Sequence, residues 1–428
     1  MDIRSSDQGK IYATHFFANS GWGGAGALAM KLALLCPSLE PGRDGVGDYT
    51  RGLAAELLAQ GHQVRLLALN DKFVESAMEG EQLAGAAPVR TLRLPENQEW
   101  DERIALAGAF LDAFQPDWVS LQFVCYGFQK KGFVYGLAKR MEPLLRGRKR
   151  HMMFHEIWIG EEVGFGWKRR LVGAVQRFFI RGFVREIQPD VMHTTNAAYQ
   201  AILAREGIHA GKLPLFGAIP LIENPGFGWI EEQLKIAAGG DFQREGFWLF
   251  GIFGGLHSIW PPEPLLPRLL DAARAAGKRV ALISIGRIGG GGQLWERISR
   301  DYADRMVFVR LGEQPPERVS GLLSFLDYGI ATSPWLILEK SSTVVSMLEH
   351  GLPVIVNRDD ARFHTPCGGP DDPLLMKSDE RMEARLLAGV PKGARHLRRE
   401  DVVRNFLTSL QQAGSSASIA TRDKGNPA

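Results

Sequence analysis

Short apolar runs recur along the chain, and each is followed by a stretch whose apolar positions repeat with helical spacing. Residues 31–37 (KLALLCP) read as a buried strand, followed by a glycine-bearing loop over 38–49, a helix over 50–60 closed by Gly61, and a second strand over 62–69. The alternation continues with strands at 89–94, 118–124, 151–155 and 190–195, interleaved with helices at 102–114, 134–145, 167–186 and 197–206; residues 212–221 close this half. The pattern degrades over 224–245 into glycines and mixed charge, then restarts. Strands are expected at 247–253, 279–285, 306–311, 328–332 and 352–356, with helices at 265–276, 294–300 and 316–325 and one ending at Gly351.

Strand–helix alternation of this kind predicts an α/β protein of two Rossmann-like, doubly wound parallel-sheet domains facing a cleft. The expected division is a poorly structured extension over 1–29, a front domain over 30–224, a linker over 225–246, a rear domain over 247–395, and a C-terminal helix with a disordered tail over 396–428. A chain of 428 residues is too long for one ordinary core, which agrees with two domains. With 45% hydrophobic and 23% charged residues it is globular, and a net charge of +3 gives no reason to expect a nucleic-acid partner. Cys36, Cys125 and Cys367 lack the spacing of a disulfide framework or a zinc site, which points to a reducing compartment, and no run of about twenty apolar residues is present.

Candidate chemistry gathers at strand ends. Between the expected strand at 328–332 and the helix ending at Gly351 lie Glu339, Lys340, Ser341, Ser342 and Thr343. Hydroxyls and a lysine at a helix start suit a phosphorylated ligand, because free N–H groups and the helix dipole favour anions. Glu339 beside them could accept hydrogen bonds from sugar hydroxyls. Gly254 and Gly255, followed by His257, end the first rear strand, and Arg287 follows the next one; with Lys340 they make a candidate diphosphate cradle. In the front half Gly45, Gly47 and Asp48 form the loop after the first strand, with Asp48 read as the helix cap. His155 ends a strand and Glu156 follows it, a place from which a polar side chain can face the cleft.

Three short stretches, GVGDYTR at 45–51, IGR at 285–287 and EKSST leading to GLPVIV at 339–356, resemble GT-B glycosyltransferases of the retaining family 4 (group 1) type. The resemblance implies a transferase moving a sugar from a nucleotide-diphosphate donor to a polysaccharide, lipid-linked or other glycan acceptor, with retention and without a metal or other cofactor. It also implies that Arg287 and a lysine neutralise the leaving diphosphate and that His155 touches the donor sugar, leaving Glu156 as an acceptor-activating base. The family's second glutamate is missing: its place, five residues before Gly351, holds Ser346. A nucleotide-sugar epimerase of the same fold and a degenerate, non-catalytic nucleotide- or glycan-binding protein are the competing readings.

Charge is informative locally. Residues 130–150 carry eight Lys or Arg against the single acid Glu142, and the helix at 167–186 carries Arg170, Arg177, Arg181 and Arg185 off an apolar face of Leu171, Val172, Val175, Phe178, Phe179 and Phe183. Such an element suits anionic lipid if its apolar face is free, and suits an ordinary core-facing helix if it packs on the sheet. The expected location is the cytoplasm, with the inner face of the cell membrane within reach.

Overall fold

The computed structural model describes residues 29–393 and 398–422, with side chains as far as residue 414. Residues 1–28 of the expected extension at the amino terminus and the last six residues of the expected tail lie outside the described residues. Two sheets make the body. The front sheet comprises β1 (Lys31–Cys36), β2 (Gln63–Asp71), β3 (Met78–Ala84), β4 (Ala87–Pro95), β5 (Trp118–Phe123), β6 (Lys149–Phe154), β7 (Val191–Thr194) and β8 (Gly211–Lys212), in the order β3-β4-β2-β1-β5-β6-β7-β8. The rear sheet comprises β9 (Phe247–Phe253), β10 (Arg279–Ile285), β11 (Met306–Arg310), β12 (Tyr328–Ala331), β13 (Val354–Val356) and β14 (Leu375–Lys377), in the order β11-β10-β9-β12-β13-β14.

Every described pairing between these strands is parallel except β3 with β4. Parallel strands are covered on both faces, which explains their nearly continuous apolar sequences. In β1, Leu32 and Leu34 face a core shared with the helix Gly45–Ala59, while Ala33 and Leu35 face the core under Trp100–Asp112 and Leu137–Leu145. The hairpin strand β3 is absent from the sequence reading because it is an exposed edge, MEGEQLA, with little apolar signal.

Three further elements differ from expectation. The stretch expected to be a linker carries the helix Gly228–Ala237, whose Ile230 and Leu234 are buried in the rear core. The first front helix starts at Gly45, with Asp44 as its cap accepting from Val46 N and Gly47 N, so Asp48 lies in the first turn instead and accepts from Gly42 N. The terminal helix Arg399–Arg422 continues past Gly414, where an unstructured tail is expected, and returns to the front domain to bury Val403, Phe406 and Leu410 beside β1 and the first helix.

Phe406 of that helix lies edge-on to His151, whose Nδ1 meets Ser120 Oγ at 2.7 Å and whose Nε2 meets His193 Nδ1 at 3.0 Å. Burial holds both imidazoles neutral, His193 down to about 4 and His151 well below its ordinary value, the latter also by repulsion from its histidine neighbours. Since the unfolded chain binds these protons more readily, stability should fall as pH drops from about 6.5 toward 4. A melting series across that window, flattened in His193→Asn, checks it; a flat wild-type profile contradicts it.

Candidate active site

The cleft runs between the carboxyl ends of the two sheets. Its rear wall forms where β9 and β10 end beside the helix Ser342–Glu349. Gly254 (φ +79°) and Gly286 (φ +92°) both adopt the left-handed region, and a Cβ on Gly254 would sit 2.8 Å from Thr343 Cγ2. A Cβ on Gly286 would lie 3.3 Å from Gly254 Cα, so the two glycine backbones and the Thr343 side chain pack closely in a corner that positive φ reserves for glycine. Ser341 caps the helix by accepting from Val344 N and lies 3.0 Å from the Thr343 hydroxyl. Ser342 opens the helix, its carbonyl taken by Ser346 Oγ at 2.9 Å. Gly255 is exposed and its carbonyl accepts from Thr332 Oγ1 at 3.0 Å; His257 is exposed on the following loop.

Lys340 reaches across to the front domain. Its Nζ lies 3.1 Å from Tyr199 Oη and 3.5 Å from Glu156 Oε1. Burial alone would lower its pKa, but the phenol and the carboxylate outweigh that and hold the ammonium above its ordinary value. Lys340 is therefore a fixed positive charge, centred between the halves. Glu156 and Tyr199 line the same cavity of about 190 Å³ with Glu161, Glu162 and Phe363.

Glu339 also crosses the gap, but to different partners: Lys212 Nζ at 2.6 Å and Ala197 N, at the start of the helix Ala197–Arg205, at 3.4 Å. The two neighbours therefore cross one seam to different partners, both touching the helix Ala197–Arg205. Around them the halves are tied by Val163 N to Arg362 O at 2.6 Å, His364 N to Glu161 O at 3.0 Å, and Gly217 N to Glu349 Oε1 at 2.9 Å.

Two expected members are not brought to this group. Arg287 leaves the strand end beside Gly286 but turns outward, its Nε donating to Glu313 at 2.6 Å in an exposed pair, because the loop after β11 offers the nearest carboxylate. His155 is buried rather than presented to the cleft. Its Nε2 meets Gln122 Oε1 at 2.9 Å, its ring lies edge-on to Tyr49, and burial lowers its pKa to about 3, so it is neutral. The register of β5 with β6 places Gln122 beside that strand end, which periodicity alone does not reveal.

Of the front loop, Gly47 has a structural reason: a Cβ there would lie 2.4 Å from Ser38 O, so the helix could not approach the β1 loop. Gly45 has open space, and Asp48 pairs with Arg51. Sequence reasoning missed Tyr199 and Lys212, which carry no motif and become cleft residues only through the fold of the front domain.

Residues 44–217 match the model of the glycosyl transferase 4-like domain family. The match lies wholly within the front domain. No curated protein matches the chain in sequence. Among solved structures it is similar to the α,α-trehalose 6-phosphate synthase of Burkholderia multivorans, at 12% identity and TM-score 0.54 over 94% of this chain and 100% of that one. It is also similar to HepE of Anabaena, solved with UDP, at 17% identity and TM-score 0.50 over 91% of this chain and all of that one (100%). At such identities the likeness is one of fold: the two-domain GT-B architecture covers 94% of this chain in the first comparison and 91% in the second. The fold is the GT-B one, and the family match lies within its front domain.

Proposed function

We propose that this protein is a glycosyltransferase that takes a sugar from a nucleoside diphosphate and passes it, with retention, to a glycan or lipid-linked acceptor held on the front domain. The observation that carries the reading is the seam where the tight Gly254–Gly286–Thr343 corner, a capped helix start and the fixed charge of Lys340 lie together. Breaking the anomeric bond puts negative charge on the departing diphosphate, and stabilising that charge is the main catalytic task. Backbone N–H groups at the corner and the helix start supply directional bonds, and Lys340 supplies the cation. Glu156, beside Lys340 and half-exposed, is the base positioned toward an acceptor hydroxyl; Glu339 orients donor sugar hydroxyls. No step in this scheme is routed through a metal.

A thermal-shift series with UDP, ADP and GDP tests the donor. One diphosphate should raise the melting temperature of the full chain, and Gly254→Val, which forces a β-branched side chain into a positive-φ corner, should abolish the rise. A melting temperature unmoved by every nucleotide rejects the transferase and epimerase readings together. Turnover on an acceptor, absent for an epimerase or a degenerate binder, separates the remaining cases.

The reading extends to an anionic membrane face. On the helix Trp167–Ile187 the buried stripe is Gly173, Gln176, Ile180, Phe183 and Ile187, which corrects the expected apolar face; Trp167, Leu171 and Phe178 are 70%, 58% and 72% exposed on the opposite side. Arg170, Arg181 and Arg185 border them, and Tyr135 and Lys139 add to the neighbouring groove. Among the described residues no helix is long and apolar enough to cross a membrane, so contact would be by insertion of these aromatics with charge attraction around them. Flotation with phosphatidylglycerol vesicles should recover the protein, and Trp167→Ser with Phe178→Ser should release it. Recovery with phosphatidylglycerol no greater than with neutral vesicles or with none rejects the contact.

A further inference from the structure

A second cavity, of about 250 Å³, opens over the carboxyl ends of β1, β2 and β5, away from Lys340. Arg103, which lines it, is 3% exposed. Its Nη1 donates to Leu69 O at 2.9 Å and to Asn70 Oδ1 at 2.7 Å, both neutral acceptors, and its Nε is buried without any hydrogen-bond partner. Among the described residues Arg103 makes no ion pair. Its guanidinium lies 3.9 Å from the centre of the Trp100 ring, and the guanidinium of Arg140 lies 5.4 Å from the same ring, so its charged neighbourhood includes a second cation.

Burying a guanidinium without a carboxylate costs several kcal/mol in general, and proteins usually avoid it by pairing. The same chain pairs its other deeply buried arginine of this domain, Arg93, with both Asp71 and Glu40. The cavity rim adds two exposed lysines, Lys72 and Lys130, that make no ion pair among the described residues. Two acids line the cavity, and a third, exposed Glu99, acts on Arg103 through space without pairing with it. Asp44 is committed to capping the helix Gly45–Ala59, and Glu96 stands exposed at the mouth without reaching ion-pair distance of Arg103. The cavity is smaller than the ~300–1,000 Å³ of drug-sized sites, a scale that suits a single sugar ring with a charged substituent.

We propose that this cavity binds an oxyanion, phosphate or carboxylate, carried by the acceptor sugar, with Arg103 as its buried counter-charge, held in place against Trp100, and Lys72 and Lys130 as its rim. The inference rests on the transferase reading, since it assigns the acceptor of that reaction to the front domain. A guanidinium offers a planar, multidentate match to such a group, which a neutral sugar cannot use.

The test is a ligand-observed NMR titration of the full chain with glucose 6-phosphate, glucuronic acid and glucose. At least one acid should bind ten-fold or more tightly than glucose. Preference for the phosphate identifies a phosphorylated acceptor, preference for the uronate a carboxylated one, and either supports the site. Arg103→Gln should erase the preference. Should that variant fail to fold, the exposed double change Lys72→Ala with Lys130→Ala should still cut it at least three-fold. Acids that bind no better than glucose, or a preference that survives these substitutions, overturn the proposal. The nucleotide-induced melting shift of the same samples reports the donor half: its presence without acid preference rejects only the anion site, whereas its absence rejects the transferase reading itself.

Discussion

Lys340→Ala should lower glycosyl transfer by about a hundred- to a thousand-fold, the scale seen when one preorganised stabiliser of developing charge is removed. The reason is positional. Lys340 of the rear domain meets both Glu156 and Tyr199 of the front domain, and it stands at the approach to the capped helix start. Truncation removes the cation that offsets the leaving diphosphate and frees Glu156 from its partner, so kcat should fall more than KM rises. Lys340→Arg keeps the charge and should recover part of the rate, although the fork geometry differs from an ammonium. Steady-state kinetics with the nucleotide sugar identified by thermal shift decide the matter; a rate within three-fold of wild type for Lys340→Ala removes this residue from the mechanism.

The largest stability effect is expected at Asp71. Its carboxylate is fully buried at the end of β2 and accepts from Arg93 Nε at 2.7 Å, Ser38 Oγ at 3.0 Å, Leu39 N at 3.1 Å and Phe73 N at 3.0 Å. These bonds join the ends of β1, β2 and β4, the rim on which the acceptor cavity is built. Burial alone would raise its pKa, but Arg93 and the two backbone N–H donors outweigh it and hold the carboxyl below its ordinary value. Asp71→Ala leaves Arg93 buried and short of its main partner, at a cost of about 3–5 kcal/mol, or roughly 6–20 °C in melting temperature for a domain of this size.

The sign of the pH dependence follows from the depressed pKa. The stabilising contribution of Asp71 is complete above the unfolded value of about 3.9 and is lost as pH falls through the lower folded value. Acid unfolding below pH 4 should therefore be blunted in Asp71→Asn relative to wild type. The histidine pair under the terminal helix acts in a separate window, between about 6.5 and 4, so the two effects can be read from one pH series. Equal acid limbs in wild type and Asp71→Asn would falsify the assignment.

Periodicity and glycine placement by themselves determined the two parallel sheets, the helix start at Ser341 to Thr343 and the strand-end positions of Gly254 and Gly286, because burial on both faces and breaks in the apolar pattern leave local marks in the sequence; their left-handed backbone came from the structure. Only the tertiary structure decided which charges meet. Lys340 and Tyr199 are 141 positions apart, and Glu339 finds Lys212 across 127, so no local pattern announces either contact. The same holds in the negative sense. Arg287 sits at the expected strand end, yet its side chain follows the nearest carboxylate to Glu313, and His155 is taken by Gln122 through the pairing of β5 with β6. A backbone address is written in neighbouring residues, whereas the direction of a charged side chain is set by whichever opposite charge or hydrogen-bond partner the fold carries to it.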